Sequence, residues 1–139
     1  MADVKTNDAH GAVFTMQSRV YVQDTDCIGV VYHANFLNYM ERARMEHLLQ
    51  SGYSLVDLAA HNLYFAVRRI TIEYHKPAKL EQIIETTSQV TRFGKSSLVF
   101  QQTVKHNEDL LCTAEVTLVC INAKSQPVRV PQDIVEKLG

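Results

Sequence analysis

The sequence predicts an α+β domain in which an antiparallel five-stranded sheet is wrapped around one long central helix. Three observations carry that expectation. Residues 34–50 hold a long stretch with apolar side chains at helical spacing. Five other stretches alternate at strand period or are rich in apolar and β-branched residues. Turn signals at Gly94-Lys95 and Asn107-Glu108-Asp109 join the last three of these as hairpins. With 139 residues the chain is one domain that buries roughly two-thirds of its unfolded surface.

Met1 to Gly11 is polar and lacks the cationic start and apolar core of a secretory signal, so residues 1–12 read as a flexible tail before a domain over 13–139. The first strand, Val13 to Gln23, puts Phe14, Met16, Val20 and Val22 on one face and Thr15, Gln17, Arg19 and Tyr21 on the other. In the long helix Phe36, Met40, Ala43 and His47 form one row. Leu37, Met45, Leu48 and Leu49 fill adjacent rows, and Glu41, Arg42, Arg44 and Glu46 take the remaining side. Asn35 is positioned to cap the helix start and Gly52 to stop its end.

Ser54 to His61 reads as a short connecting helix, with Ser54 or Gly52 near its start and Asp57 completing a weak capping box. Leu63 to His75 is the second strand, ended by Pro77, with Arg68 and Arg69 on opposite faces. Gln82 to Phe93, Ser97 to His106 and Leu110 to Ile121 are the remaining strands. In the last, Leu110, Cys112, Ala114, Val116, Leu118 and Cys120 form an apolar face expected to pack on the helix. Val128 to Gly139, with Pro131 and Asp133 near its start, closes the chain as a short helix or tail.

Bulk properties exclude several classes. The net charge is -1, so no global field draws nucleic acid or an anionic membrane, and phosphate binding has to be local. No apolar run approaches the about 20 residues of a membrane helix, and a cytoplasmic protein is expected. Six dispersed histidines, with no HExxH, and three cysteines without CxxC spacing argue against a metal site or a disulfide framework. Cys112 and Cys120 read as small core residues, and His47 as packed or surface rather than catalytic. A sheet around a single helix leaves an edge and a back face open, so an oligomer is expected.

Residues 24–33 must deliver the chain to the helix start, where free N–H groups and the positive end of the dipole favour an anion or a polarised carbonyl. A carboxylate there, such as Asp26, can attack a bound ester or thioester or activate water against it. Asp24 reads as a turn former.

The run DTDCIGVVYHANFLNYMERARMEHL, residues 24–48, resembles the signature of the 4-hydroxybenzoyl-CoA thioesterase branch of the hotdog-fold superfamily. Within that branch it is most similar to the thioesterases encoded with the Tol-Pal system, and the similarity runs from about Gln17 to Ile121. The resemblance implies a single hotdog fold and hydrolysis of acyl-CoA to free acid and CoA, with no cofactor because CoA is part of the substrate. It makes Asp26 the nucleophile or general base, and the N–H at His33 the donor to the thioester carbonyl, with the His33 ring assisting. Tyr21 precedes the motif as in relatives, but Val22 stands where that closer branch often has a second tyrosine.

The same resemblance implies an acyl pocket lined by Val31, Tyr32, Phe36 and Tyr39, and a nucleotide held near Arg92, Gly94, Lys95, Ser96 and Ser97. It implies a homodimer or homotetramer with sites between chains, and a thioester donated by CoA or by an acyl carrier protein. Glu41 reads as a surface or ion-pairing residue, and Cys27 as unneeded beside an aspartate that already supplies the chemistry. Two other functions stay open: a hotdog hydratase or dehydratase acting on enoyl or hydroxyacyl thioesters, for which this chain is short, and a non-catalytic acyl-thioester binder.

Overall fold

The computed structural model describes residues 11–139, so most of the expected 1–12 tail lies outside the described residues. Gly11 accepts a hydrogen bond from Gln89 Nε2 at 2.9 Å. The regular elements are β1 (Phe14–Arg19), α1 (Phe36–Gln50), α2 (Leu55–Ala60), β2 (Tyr64–Tyr74), β3 (Ile83–Phe93), β4 (Ser97–His106), β5 (Asp109–Ile121) and α3 (Gln132–Leu138). Two single 3-10 turns, Val22–Asp24 and His33–Asn35, lie between β1 and α1. The strands make one antiparallel sheet in the order β1-β3-β4-β5-β2, which leaves β1 and β2 at its edges. With α1 laid over β1, β3 and β4, this is the hotdog architecture that the sequence predicts.

The helix buries Phe36, Tyr39, Met40, Ala43, His47 and Leu48 against the sheet, beside Ile84, Val90, Phe100 and Val116. Each large side chain so buried contributes about 1.5–3 kcal/mol. One charged residue joins them. Arg44, expected on the solvated side, is buried, and its Nη1 donates to Gln102 Oε1 at 2.9 Å. Gln102 Nε2 in turn donates to the carbonyls of Met40 at 3.0 Å and Thr87 at 3.2 Å, so helix and sheet share one polar clamp. Burial lowers the Arg44 pKa, opposed by the Glu41 carboxylate. Met45 and Leu49, expected in the apolar rows, are instead exposed, because they lie outside the arc of the helix that faces the sheet.

The helix ends as its sequence predicts. Gly52 has φ +97, Tyr53 N–H donates to Leu48 O at 2.8 Å and Gly52 N–H to Leu49 O at 3.0 Å, a Schellman arrangement. Its start differs. Asn35 is already helical and makes no cap; its Nδ2 donates to Asp24 O at 2.9 Å, and the 3-10 turn precedes it. Ser54 does cap α2, accepting from Asp57 N–H at 3.3 Å.

β1 is shorter than predicted. Val20 still pairs by backbone with Glu81 and Gln82, but the chain then turns into the first 3-10 segment, and Val22, expected on the buried face, is 73% exposed. Three bulges also interrupt the alternation on which strand faces were read, at Val67/Arg69, Val90/Arg92 and Val104/Lys105. The last of these puts Leu111 rather than Leu110 in the core. From Cys112 to Cys120 the apolar face is buried as expected, although α1 lies mainly over β3 rather than β5. Burial raises both cysteine thiols to about 12.

His47 is packed in the core, stacked on Phe14 at 5.6 Å, edge-on to Phe100 at 6.3 Å, and sharing a hydrogen bond of 3.0 Å with Ser88 Oγ. Burial holds its pKa below the ordinary 6.5. The unfolded chain therefore takes up a proton near 6.5 that the folded chain refuses, so stability is fully present above that pH and falls as pH drops towards the lowered folded value. A Tm series from about pH 8 to about pH 5.5 is expected to decline more steeply for the wild type than for His47→Gln; parallel curves would remove His47 as the cause.

Candidate active site

The segment between β1 and α1 has little regular structure, so its backbone polar groups must be satisfied one at a time. Asp26 N–H donates to Val30 O at 2.8 Å, and Gly29 N–H returns to Asp26 O at 3.3 Å. Gly29, at φ +84, supplies the left-handed turn that permits this. The loop is then closed by a Thr25–Val31 bridge and fastened to the β2–β3 connection through Val31 N–H to Ala78 O at 2.8 Å and Leu80 N–H to Gly29 O at 3.1 Å. Inside it the Asp26 carboxylate is held by one oxygen: Oδ1 accepts from Ile28 N–H at 2.9 Å and from Val30 N–H at 3.4 Å, while Oδ2 carries neither bond.

Two residues beyond the bridge the second 3-10 turn begins. Its first internal bond runs from Asn35 N–H to Tyr32 O at 2.7 Å, so the N–H groups of His33 and Ala34 come before any acceptor within the turn. Asp24 joins this turn to the loop. Its carbonyl accepts from Tyr32 N–H at 3.0 Å and from Asn35 Nδ2 at 2.9 Å, and its buried carboxylate accepts from Tyr21 N–H at 2.9 Å. The loop carboxylate and the turn donors therefore belong to one hydrogen-bonded unit.

The aromatic side chains around this unit divide into buried and exposed sets. Val31, Phe36 and Tyr39 lie in the core of the chain itself, while Tyr32 is 47% exposed and its ring lies 4.5 Å from that of His33. Tyr74, which sequence reasoning passed over, reaches the site from β2: its hydroxyl donates to His33 O at 3.0 Å and its ring is edge-on to Phe36 at 5.7 Å. A tyrosine three residues before Pro77 at the end of a strand was the available signal, but no periodicity says which loop it meets. The Tyr39 hydroxyl is buried without a hydrogen-bond partner among the described residues. Burial, then the neighbouring Asp24 carboxylate, raise its pKa well above the usual tyrosine range.

A second polar cluster sits at the β3–β4 turn. Arg68, Arg69 and Arg92 converge with Gly94 and Ser97 around a cavity of about 190 Å³. Alternation put Arg68 and Arg69 on opposite faces; the bulge after Val67 breaks the alternation, and both line the same cavity. Arg92 is 4.0 Å from Glu115, the one carboxylate within ion-pair distance of these three guanidinium groups among the described residues. Of the other predicted turn residues, Lys95 and Ser96 offer backbone: their carbonyls accept from Val130 N–H at 2.9 Å and Cys120 N–H at 2.7 Å. An apolar cavity of about 320 Å³ opens between α1, α2 and the start of β2, lined by Leu48, Leu63, Phe65 and Leu118 among others. No group of three metal-ligating side chains occurs among the described residues.

Residues 20–138 match the model of the thioesterase-like superfamily. An acyl-CoA thioester hydrolase from Escherichia coli, YbgC, is 41% identical over 125 residues, covering 88% of this chain and 93% of the relative. The Haemophilus influenzae acyl-CoA thioesterase YbgC is 33% identical over 87% of this chain and 90% of its own. Among solved structures, a probable thioesterase from Bartonella henselae superposes with a TM-score of 0.83 at 35% identity, over 86% of this chain and all (100%) of the other. A 1,4-dihydroxy-2-naphthoyl-CoA thioesterase from Synechocystis, at 23% identity, shares the fold with a TM-score of 0.84 over 91% of this chain and 96% of its own.

Three converging guanidinium groups predict an affinity for condensed phosphate. Pyrophosphate at tenfold its Kd is expected to raise the Tm by about 5 °C. In the Arg68→Ala/Arg69→Ala double variant most of that shift disappears; an equal shift in both proteins would place the anion elsewhere.

Proposed function

The chain belongs to the thioesterase-like superfamily, and from that premise we propose that it is an acyl-CoA thioesterase in which Asp26 and the backbone N–H at His33 carry the reaction. The observation that supports this most directly is the single unit described above: a carboxylate of which one oxygen is unengaged among the described residues, bonded through the Asp24 carbonyl to a turn whose first N–H groups have no acceptor among those residues.

In this reading the thioester carbonyl lies against the N–H of His33, whose dipole and fixed direction stabilise the oxyanion that forms as the carbonyl carbon becomes tetrahedral. Asp26 Oδ2 either attacks that carbon or takes a proton from the water that does. Collapse of the intermediate breaks the C–S bond, and the CoA sulfur leaves as a thiolate, a weak enough base to depart without a strong acid. Where water attacked, the free acid is released at this step; where Asp26 attacked, water then cleaves the acyl–Asp26 anhydride to release the acid and restore the carboxylate. The His33 ring, exposed between Tyr32 and Tyr74, assists from beside the turn. No cofactor enters, since CoA is part of the substrate.

The acyl group runs over Tyr32, with Val31, Phe36 and Tyr39 forming the wall behind it. The CoA phosphates lie at the basic turn of Lys95, Ser96 and Ser97, where Arg68, Arg69 and Arg92 add the charge. The donor is CoA, with acyl carrier protein as the other carrier the site could serve. β2 is an eleven-residue edge with Tyr64, Val67 and Tyr74 exposed, which supports a homodimer or homotetramer with sites completed between chains. No helix among the described residues is long and apolar enough to cross a membrane, and a cytoplasmic enzyme is in keeping with that.

Free-thiol release from acyl-CoAs of graded length and aromaticity tests the proposal, comparing wild type with Asp26→Asn. Turnover on some member of the panel, reduced by about 10² or more in the variant, is the expected result. Equal rates would remove Asp26 from the chemistry. Hydration of an enoyl-CoA without thiol release would make the protein a hydratase, and saturable acyl-CoA binding with no turnover would make it a binding protein.

A further inference from the structure

We propose that Asp24 is a positioning residue for the reaction, holding the Asp26 loop in register with the His33 turn, and that the Tyr39 hydroxyl is its partner from the helix. The inference rests on the reading of Asp26 and His33 given above.

The bonds of the two aspartates differ in reach. Asp26 accepts from Ile28 and Val30, which belong to its own loop, so nothing in its side-chain bonding fixes where that loop lies against the helix. Asp24 reaches three separate pieces of chain. Its carboxylate accepts from Tyr21 N–H at the exit of β1, and its carbonyl accepts from Tyr32 N–H and Asn35 Nδ2 in the turn that opens with His33. On its remaining side it faces Tyr39, one turn into α1. Tyr32 immediately precedes His33, and Asp24 lies two residues before Asp26, so the backbone Tyr32–Asp24 bond sets the offset between the two reacting groups, and the Asp24 carboxylate, held by Tyr21 N–H, fixes where that carbonyl lies.

A turn former needs no more than the Tyr21 and backbone bonds. The added observation is Tyr39, whose side chain is 2% exposed and whose hydroxyl finds no hydrogen-bond partner among the described residues. The carboxylate of Asp24, also buried, is the acceptor beside it. A shift of either side chain that brings the two oxygens within hydrogen-bond distance satisfies the hydroxyl and ties the carboxylate to the helix. Because burial and Asp24 both keep Tyr39 protonated, the hydroxyl remains a donor throughout the working pH range. Apposition of nucleophile and oxyanion donor is sensitive to displacements of an ångström or less, which gives a residue that touches no substrate a route to the rate.

Asp24→Asn, Tyr39→Phe and the double variant separate this role from a structural one, with kcat, KM and Tm measured for each on the best acyl-CoA of the panel. Asn keeps the acceptor for Tyr21 but loses the charge. Expected are a kcat about tenfold or more lower for Asp24→Asn with KM within about twofold, a smaller fall of about threefold or more for Tyr39→Phe, and a double variant no worse than Asp24→Asn. Unchanged kcat in Asp24→Asn, a loss that appears in KM instead, multiplied effects in the double variant, or a kcat loss that vanishes once assays are run well below each Tm would overturn the proposal. If Asp26→Asn is inactive while Asp24→Asn matches wild type, this inference fails alone. If the wild type itself releases no thiol, the hydrolase reading fails and this one with it.

Discussion

A helix laid across a sheet must bury an entire flank, and in this protein the flank includes an arginine. The Arg44 guanidinium cannot be withdrawn from water without acceptors, and Gln102 on β4 meets that demand while spending its own amide on the carbonyls of Met40 and Thr87. The clamp engages the helix side chain, the helix backbone and the neighbouring strand together. It therefore fixes both the rotation of α1 about its axis and its position along the sheet. A purely apolar contact would tolerate sliding; a buried polar contact of this kind does not, since any slip takes the Gln102 acceptor away from a buried guanidinium.

Everything in the candidate site inherits that placement. The turn at His33 is the forward end of α1, Tyr74 steadies it from β2, and the Asp26 loop is strung between the turn and the β2–β3 connection. Residues without regular structure are thus held by elements that have it. The site is local in sequence, because the chain that carries Asp26 runs directly into the helix that carries the N–H donors. Its supports are not local, since Tyr74, Ala78 and Leu80 come from the far side of the second strand.

This division explains what was legible in the sequence. Helix and strands were readable because their apolar spacing reflects one-sided burial, and β2 to β5, the Gly52 stop and the Ser54 cap lie where local chemistry puts them, while β1 ends early. Arg44 was not readable, as nothing local shows that a glutamine about sixty residues away will receive it. Bulges were equally hidden: a strict two-residue period gave Arg68 and Arg69 opposite faces and put Leu110 in the core, and each bulge shifts the pattern by one. Asn35 shows a subtler failure. Its residue type fits a cap, yet its amide bonds Asp24 because a 3-10 turn precedes it. Asp26 and His33 stood out through a resemblance as well as through helix-terminus physics, whereas Asp24 looked like an ordinary turn residue until its three connections could be seen.

The three cysteines have a practical consequence for work on this protein. Cys112 and Cys120 are sealed in the core with thiols raised to about 12, whereas Cys27 is exposed and adjoins Asp26 in the loop. The native chain thus offers one chemically addressable sulfur, beside the candidate catalytic carboxylate. A dye or spin label can be attached there without engineering and would report on the loop directly. The same sulfur will consume one equivalent of any thiol-detecting reagent per folded chain, an offset to be subtracted, and a denaturing quench would add Cys112 and Cys120 to it.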